Sequence, residues 1–455
     1  MSFFPGGDPH ISIEGARSGN SCMPRNPLLR VPETVMRLNP AVQSLLNSSL
    51  GRQSLWYFLS QLCNGALGVA VLGVLTRALT VADFGVYSFV TAVLLFLAMF
   101  TDAGISTSGA RLMALAGSEN EQRSRSAALL LASLGAGAAL TCCAAIASFL
   151  VEPLFGGGSG GLLLMAAPFA LFLPAQEMII YMAQGANRIG LLSVFLILPR
   201  LLLLPLLLLL ASRHALSIEA ALAATYGSTA VAVMCVALLN RPFTKGIRAQ
   251  LSLLRVELKD FGRDVYAARI VDGLTTGLDK MLLSYHHGMI PVGFYSIAFT
   301  MASPIVMLSR AMTASGYRGF AHQPAIPRKL LTANLLWCSA GAVVLVIACE
   351  LLLPLLFTNK YVPSLGVLPF LAAGIGLMGL NAPFHSFLAA QRQGRTLRRL
   401  SFATSGLLVL LNVILIPLLG MTGAALSLIG AFLMNLLLNI AEYRKFRRRH
   451  REIAH

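Results

Sequence analysis

Arg200 stands in LILPRLLLLPLLLLL, a run with no other charge, flanked by Pro199 and Pro205. The stretch Ile270–Tyr285, IVDGLTTGLDKMLLSY, is equally apolar in character yet carries Asp272, Asp279 and Lys280, with Arg269 just ahead of it. A charge held in hydrocarbon is costly, so it finds a partner, water or the interior of a helix bundle. Arg200 has two such readings: a guanidinium facing a polar cavity, or a structural ion pair with an acid of another span such as Asp272. Arg269 and Asp272 are three residues apart and share a helix face, so they can pair. Asp272 and Asp279 are seven apart, close to two turns, and project to similar sides. One side of this segment is therefore polar for most of its length and is expected to line the interior. Asp279 and Lys280 read as near the outer boundary, where a structural pair is also possible because a long side chain can reach the interface. Glu177 in QEMIIYMAQGANR can carry a proton or cation, or pair with Arg188. Asp102 in MFTDAGIST reads by default as a cap or a partner of Arg111.

Covalent chemistry finds no foothold. The chain has no phosphate loop or HExxH, and no GxSxG nucleophile elbow or dinucleotide fingerprint set at a strand-to-helix turn. GGGSGG at 156–161 follows no strand and lacks the lysine, so it reads as an outer turn. The seven cysteines are scattered, and only Cys142 and Cys143 are close, at no metal-binding spacing. These observations exclude an evident enzyme or metal site and leave binding and transport; no cofactor is called for.

The elements that must position these groups follow from composition. Of 455 residues, 56% are hydrophobic and 12% charged, with mean hydropathy +0.74; soluble domains hold about a quarter charged residues. Apolar runs recur at 53–76, 86–107, 126–150, 162–182, 189–211, 216–239, 262–284, 289–310, 330–357, 364–388, 400–419 and 421–442. Continuous runs specify helices, since barrel strands alternate. The expected fold is an all-α polytopic membrane protein of about twelve transmembrane helices, in two six-helix bundles around a central cavity. With the N-terminus on the cytoplasmic side, 29 of the 35 Lys and Arg residues fall on that side, three outside (Arg77, Arg213, Lys360) and three within spans. This asymmetry fits the positive-inside rule with both termini cytoplasmic. The net charge of +17 is thus a topology signal, and no nucleic acid is expected. The expected parts are a flexible arm at 1–50, lobes at 51–240 and 262–443, a basic linker at 241–261 and a basic tail at 444–455. In the linker, Leu251, Leu254 and Leu258 share a face, which suits either a membrane-surface helix or an ordinary charged connector.

An internal echo supports two halves. DFGVYSFVTAV from Asp83 and VGFYSIAFTM from Val292 align Gly85 with Gly293, Tyr87 with Tyr295 and Ser88 with Ser296, at an offset of 208 residues. Spans so related are six apart and cross in the same sense, as in parallel transporter repeats.

The order LSQLCNGALGVAVLGVLTRALTVADFGVYS, DAGIS, LDKMLLSYHHGMIPVGFYSIA, TNKYVPSLGVLPFLA and NVILIPLLGMTGAALS resembles the polysaccharide transport family. These are the oligosaccharide flippases of the multidrug/oligosaccharidyl-lipid/polysaccharide exporter superfamily. The resemblance runs from about Ser54 to Tyr443. It implies a two-lobed, twelve-helix carrier in the bacterial inner membrane, acting beside a polymerase and chain-length or export proteins. The implied cargo is an oligosaccharide repeat unit on undecaprenyl pyrophosphate. Asp279 and Lys280 match the family's LDxxLL signature; Arg200 and Arg269 match by location only, as anion-binding residues of a cavity helix. Net direction can come from polymerisation outside, the membrane potential, or H+ or Na+ coupling through Glu177 or Asp272. The alternative is a cation-coupled small-molecule antiporter of the multidrug type.

Overall fold

The computed structural model describes residues 49–239, 246–259, 266, 277–323, 325–391 and 393–453. Every regular element in them is helical. The first half holds α1 (Ser49–Ala78), α2 (Val81–Thr101), α3 (Ile105–Ala114), α4 (Glu119–Phe155), α5 (Ser159–Ala170), α6 (Leu173–Gly185), α7 (Ile189–Ser212) and α8 (Ile218–Leu239). Then come α9 (Ile247–Glu257), α10 (Leu278–His287), α11 (Met289–Ala302), α12 (Pro304–His322) and α13 (Arg328–Phe357). A 3-10 segment at Asn359–Gly366 precedes α14 (Leu368–Ala390), α15 (Gly394–Leu419) and α16 (Met421–Ile453).

Among the described residues ten stretches are long and apolar enough to cross a bilayer, and the bent pair α5–α6, taken as one span, brings the number to eleven. This is an all-α polytopic membrane protein. The eleven correspond to the expected spans except the seventh, 262–284, most of which lies outside the described residues, as does nearly all of the expected arm at 1–50.

Local chemistry moves several boundaries. The second span stops at Thr101 and not near 107, because Ala103 (φ 47°) and Gly104 (φ 78°) are left-handed and cannot continue a helix. The fourth span bends by 41° between α5 and α6, where Pro174 starts the new helix without an N–H to give the old one. Pro304 does the same between α11 and α12. The prolines around Arg200 leave α7 helical from Ile189 to Ser212. The basic tail is not separate: α16 runs on through it to Ile453.

Helix pairings recur at equivalent places in the two halves. α4 packs on α5 and α6, and α13 on α14; α7 packs on α8, and α15 on α16; α5 and α6 touch α8, and α14 touches α16. The halves meet where α2 crosses α11. A β-carbon on Gly85 would fall 1.9 Å from the Met289 carbonyl oxygen, and one on Gly293 would fall 2.8 Å from the Val81 carbonyl oxygen. Beside this crossing, Arg77 donates to the Leu355 carbonyl at 2.8 Å, and Tyr361 sets its ring edge-on to Phe84.

The linker helix α9 buries Leu254 in an apolar cluster with Leu112, Met113, Leu129 and Val236, and Leu258 packs against it. Glu257 binds Arg111 at 2.8 Å. The leucine face singled out in the sequence is therefore docked on the first half of the protein.

Candidate substrate-binding site

α7 carries Arg200 eleven residues in from its first residue, about 17 Å along a core of about 30 Å. The guanidinium lies across α1: Nη1 donates to the Asn64 carbonyl, and a β-carbon on Gly68 would meet the same nitrogen at 2.9 Å. Glycine at position 68 thus makes the room for it. Among the described residues no carboxylate pairs with Arg200; the ion pairs found there involve Arg111, Arg123, Arg125 and Lys445. The remaining N–H groups of a fork with five donors are left for another acceptor.

Around Arg200 the first half supplies hydroxyls that the sequence reading missed. The charge of Arg200 reaches Tyr87 on α2. The Tyr87 hydroxyl lies 3.0 Å from Thr225 Oγ1 on α8. Thr225 donates its own proton to the Ala221 carbonyl at 2.8 Å, so Tyr87 is the donor of the pair and keeps its oxygen lone pairs available. Thr91 Oγ1 and the Tyr226 hydroxyl are buried without a hydrogen bond. The signal was present in the echo, which contains Tyr87.

The second half places Asp279 and Lys280 deeper than expected. Gly277 (φ 82°) starts α10, so a left-handed residue interrupts the expected seventh span. A β-carbon there would touch Ala92 of α2 at 3.2 Å, and Ala92 lies about 16 Å from the first residue of α2. Asp279 accepts from the Tyr295 hydroxyl at 2.7 Å and from the Lys280 backbone N–H at 2.9 Å. It is committed to protein structure. Lys280 lies in the field of Asp279, yet its side chain makes no hydrogen bond or ion pair among the described residues. Of the two readings open for Asp279, a bond to Tyr295 is present, and among the described residues the Lys280 ammonium has no hydrogen-bonded partner.

Other expected residues separate by role. Asp102 caps α3: its Oδ1 accepts from Ser106 N at 3.2 Å and from Ser106 Oγ. Arg111 binds Glu257. Glu177 lies on the exposed side of α6, while Arg188 donates to Gln122 at 3.1 Å. Arg269 and Asp272 lie outside the described residues. Arg310 on α12 and His385 on α14, neither picked out beforehand as a site residue, are exposed side chains near enough for the Arg310 charge to act on the imidazole. Each lies well toward the end of its span that carries the basic loops. The arrangement offers cations at that end and at mid-depth, with no nucleophile–base constellation beside them among the described residues. It suits holding an anion without breaking a bond.

The family model described as Polysaccharide biosynthesis protein matches residues 50–317. No curated protein matches the chain. Among solved structures, the Lipid II flippase MurJ in an inward closed conformation is 12% identical, with 86% of this chain and 90% of that one covered at a TM-score of 0.65. The MATE multidrug transporter DinF-BH in complex with R6G is 14% identical, with 89% and 96% covered at 0.64. A MOP superfamily transporter from Pyrococcus furiosus is 15% identical, with 90% and 99% covered at 0.58. At these identities the likeness is one of fold.

Proposed function

The chain belongs to the polysaccharide biosynthesis protein family, with the fold of the superfamily's membrane transporters, and from that premise we propose that it is a flippase for an anionic lipid-linked oligosaccharide. The passenger is an oligosaccharide repeat unit on undecaprenyl pyrophosphate. It enters at the basic, cytoplasmic end of a bacterial inner-membrane carrier and leaves on the far side for surface or exopolysaccharide assembly. Polymerase and chain-length or export proteins are the partners that would consume it. Two six-helix lobes, 51–240 and 262–443, joined by the linker 241–261, would rock about the α2–α11 crossing. Both termini lie on the cytoplasmic side.

The observation that carries this reading is Lys280 at mid-depth beside Gly277, its ammonium without a hydrogen bond or ion pair among the described residues, with Arg200 at similar depth and unpaired with any described carboxylate. A diphosphate bearing sugars cannot cross hydrocarbon unaided at useful rates. A wet path with a guanidinium fork and an ammonium replaces part of its hydration by charge-assisted hydrogen bonds. Arg269 would add to this set, and Asp272 or Glu177 would serve in any ion coupling. A cation-exporting antiporter would instead need uncommitted acids at that depth, and Asp279 is taken by Tyr295.

The test is translocation of a polyprenyl-pyrophosphate disaccharide in vesicles holding the purified protein. Protein-dependent transfer between leaflets, competed by polyprenyl pyrophosphates and not by lipophilic cations, is the expected result. Cation efflux with no transfer of the lipid-linked sugar would replace this reading with the antiporter.

A further inference from the structure

The linker helix α9 has three faces, and the protein uses one of them. At 100° per residue, Ile247, Leu251, Leu254 and Leu258 form the docked face, where Leu254 is 3% exposed. On another face Ala249, Leu253 and Val256 stand together; Leu253 is 45% and Val256 57% exposed. Between the two lie Arg248, Arg255 and Lys259, all exposed, and no acidic residue shares that sector. Glu257, the acid of the helix, is on the far side and engaged with Arg111.

The depth of this helix follows from what it touches. Leu254 shares its cluster with Leu129 and Leu130, which open the apolar run AALLLASL of α4 just after the charged turn ENEQRSR. Val236, in the same cluster, lies within a turn of the end of α8. The helix therefore rests at the level where two spans leave the hydrocarbon. An exposed apolar stripe bordered by Arg and Lys at that level matches an in-plane helix at an anionic headgroup layer. Water would leave Leu253 and Val256 exposed side by side for no gain.

We propose that α9 is a lipid-binding surface: Leu253 and Val256 insert among the headgroups and Arg248, Arg255 and Lys259 bind anionic phospholipid, fixing the linker to the membrane. The inference is independent of what is transported.

The full-length protein, with exposed cysteines replaced by serine, would carry a fluorophore on Ala249→Cys and be reconstituted in phosphatidylcholine vesicles with or without phosphatidylglycerol. The label is expected to be shielded from iodide and quenched by a headgroup-attached quencher when phosphatidylglycerol is present. Replacing Arg248, Arg255 and Lys259 by Gln should weaken that contact, with about a fivefold loss in membrane partitioning per charge. Leu253→Asp should release the label even with the basic residues intact. Iodide access equal in both vesicles and unchanged by these substitutions would overturn the proposal. Circular dichroism and retained Arg111–Glu257 crosslinking in the variants would keep misfolding from imitating release.

Discussion

Gly85 and Gly293 occupy each other's backbone. Each is pressed on the carbonyl oxygen of the residue four places before the other, Met289 for Gly85 and Val81 for Gly293. Val81 and Met289 are themselves 208 residues apart, the offset that relates the glycines. The contact is therefore its own counterpart under exchange of the halves, as a local two-fold relation requires. It also accounts for why the echo is densest here: both copies of the motif must be thin at the same point for two helices to cross this closely.

A methyl group at this crossing has nowhere to go. Gly85→Ala brings a β-carbon to 1.9 Å from a main-chain oxygen, so α2 and α11 must separate. Overpacking of this kind costs about 1–3 kcal/mol. The expected outcome is a lower Tm. Gly293→Ala, at 2.8 Å, should act in the same direction and more mildly. An unchanged Tm in Gly85→Ala would show that the helices do not meet as described.

Lys280 and Arg200 are expected to act on transport and not on folding. Among the described residues neither is paired with a carboxylate, so neutral replacement orphans no described ion-pair partner. Lys280→Ala and Arg200→Ala should each lower flipping of a pyrophosphate-linked sugar by about ten- to a hundredfold, the range for losing a hydrogen bond to a charged group. Lys280→Arg should keep more activity than Lys280→Ala. Arg200→Lys should recover only part, because an ammonium cannot hold the Asn64 carbonyl and a passenger with one planar fork. The measurement is transfer in vesicles at matched protein incorporation.

Much of this arrangement was legible before any coordinates. Hydropathy and the placement of Lys and Arg marked the spans, because membrane insertion reads those same quantities. The echo identified Gly85 and Gly293, and the cost of burying charge marked Arg200 and Lys280. Breaks were harder. Pro199 and Pro205 stand inside α7 without ending it, while a left-handed residue falls at Gly277, against Ala92. Side-chain partners were not legible either: Lys280 was one possible partner of Asp279, and the bond found is to Tyr295, sixteen residues on and on another helix. The same holds for Asn381, Asn435 and Asn439, which join α14 to α16 through hydrogen bonds that include Asn439 Nδ2 to Asn381 Oδ1 at 3.1 Å. Their spacing matches no motif, because the partners are set by helix docking.

The Tyr295–Asp279 bond should be structural. Tyr295→Phe leaves a carboxylate in a largely apolar setting with its backbone donor alone, and hydrogen bonds to charged groups are worth about 1.5–3 kcal/mol. The Tm of Tyr295→Phe is expected to fall, and Asp279→Asn should lose less, since its amide still pairs with a hydroxyl. If Lys280 swings to the freed oxygen in Tyr295→Phe, transport falls as well. A double variant Tyr295→Phe, Asp279→Asn should then recover transport while remaining less stable than the parent. Equal transport in the parent and both single variants would remove this bond from the control of Lys280.

Tyr361 offers the opposite sign. Its side chain is buried in the 3-10 segment with its ring 5.9 Å from Phe84 and 6.1 Å from Phe294, and its hydroxyl has no hydrogen-bond partner. Tyr361→Phe keeps both edge contacts and removes an unsatisfied group that costs about 1–3 kcal/mol, so the variant should melt higher than the parent at neutral pH. Burial, with Asp83 adding to it, pushes the phenol above its usual range. A raised value means that stability is full below the unfolded value, about 10, and is lost as pH climbs past it, because only the unfolded chain then ionises. The advantage of Tyr361→Phe should therefore widen between pH 9 and 11, by up to about 1.4 kcal/mol per pH unit above 10. Thermal melts of both proteins across that interval, in the same detergent, measure it. A variant that melts lower at pH 7 and shows a constant difference at alkaline pH would mean that the hydroxyl is bonded after all, through water or lipid at the outer seam.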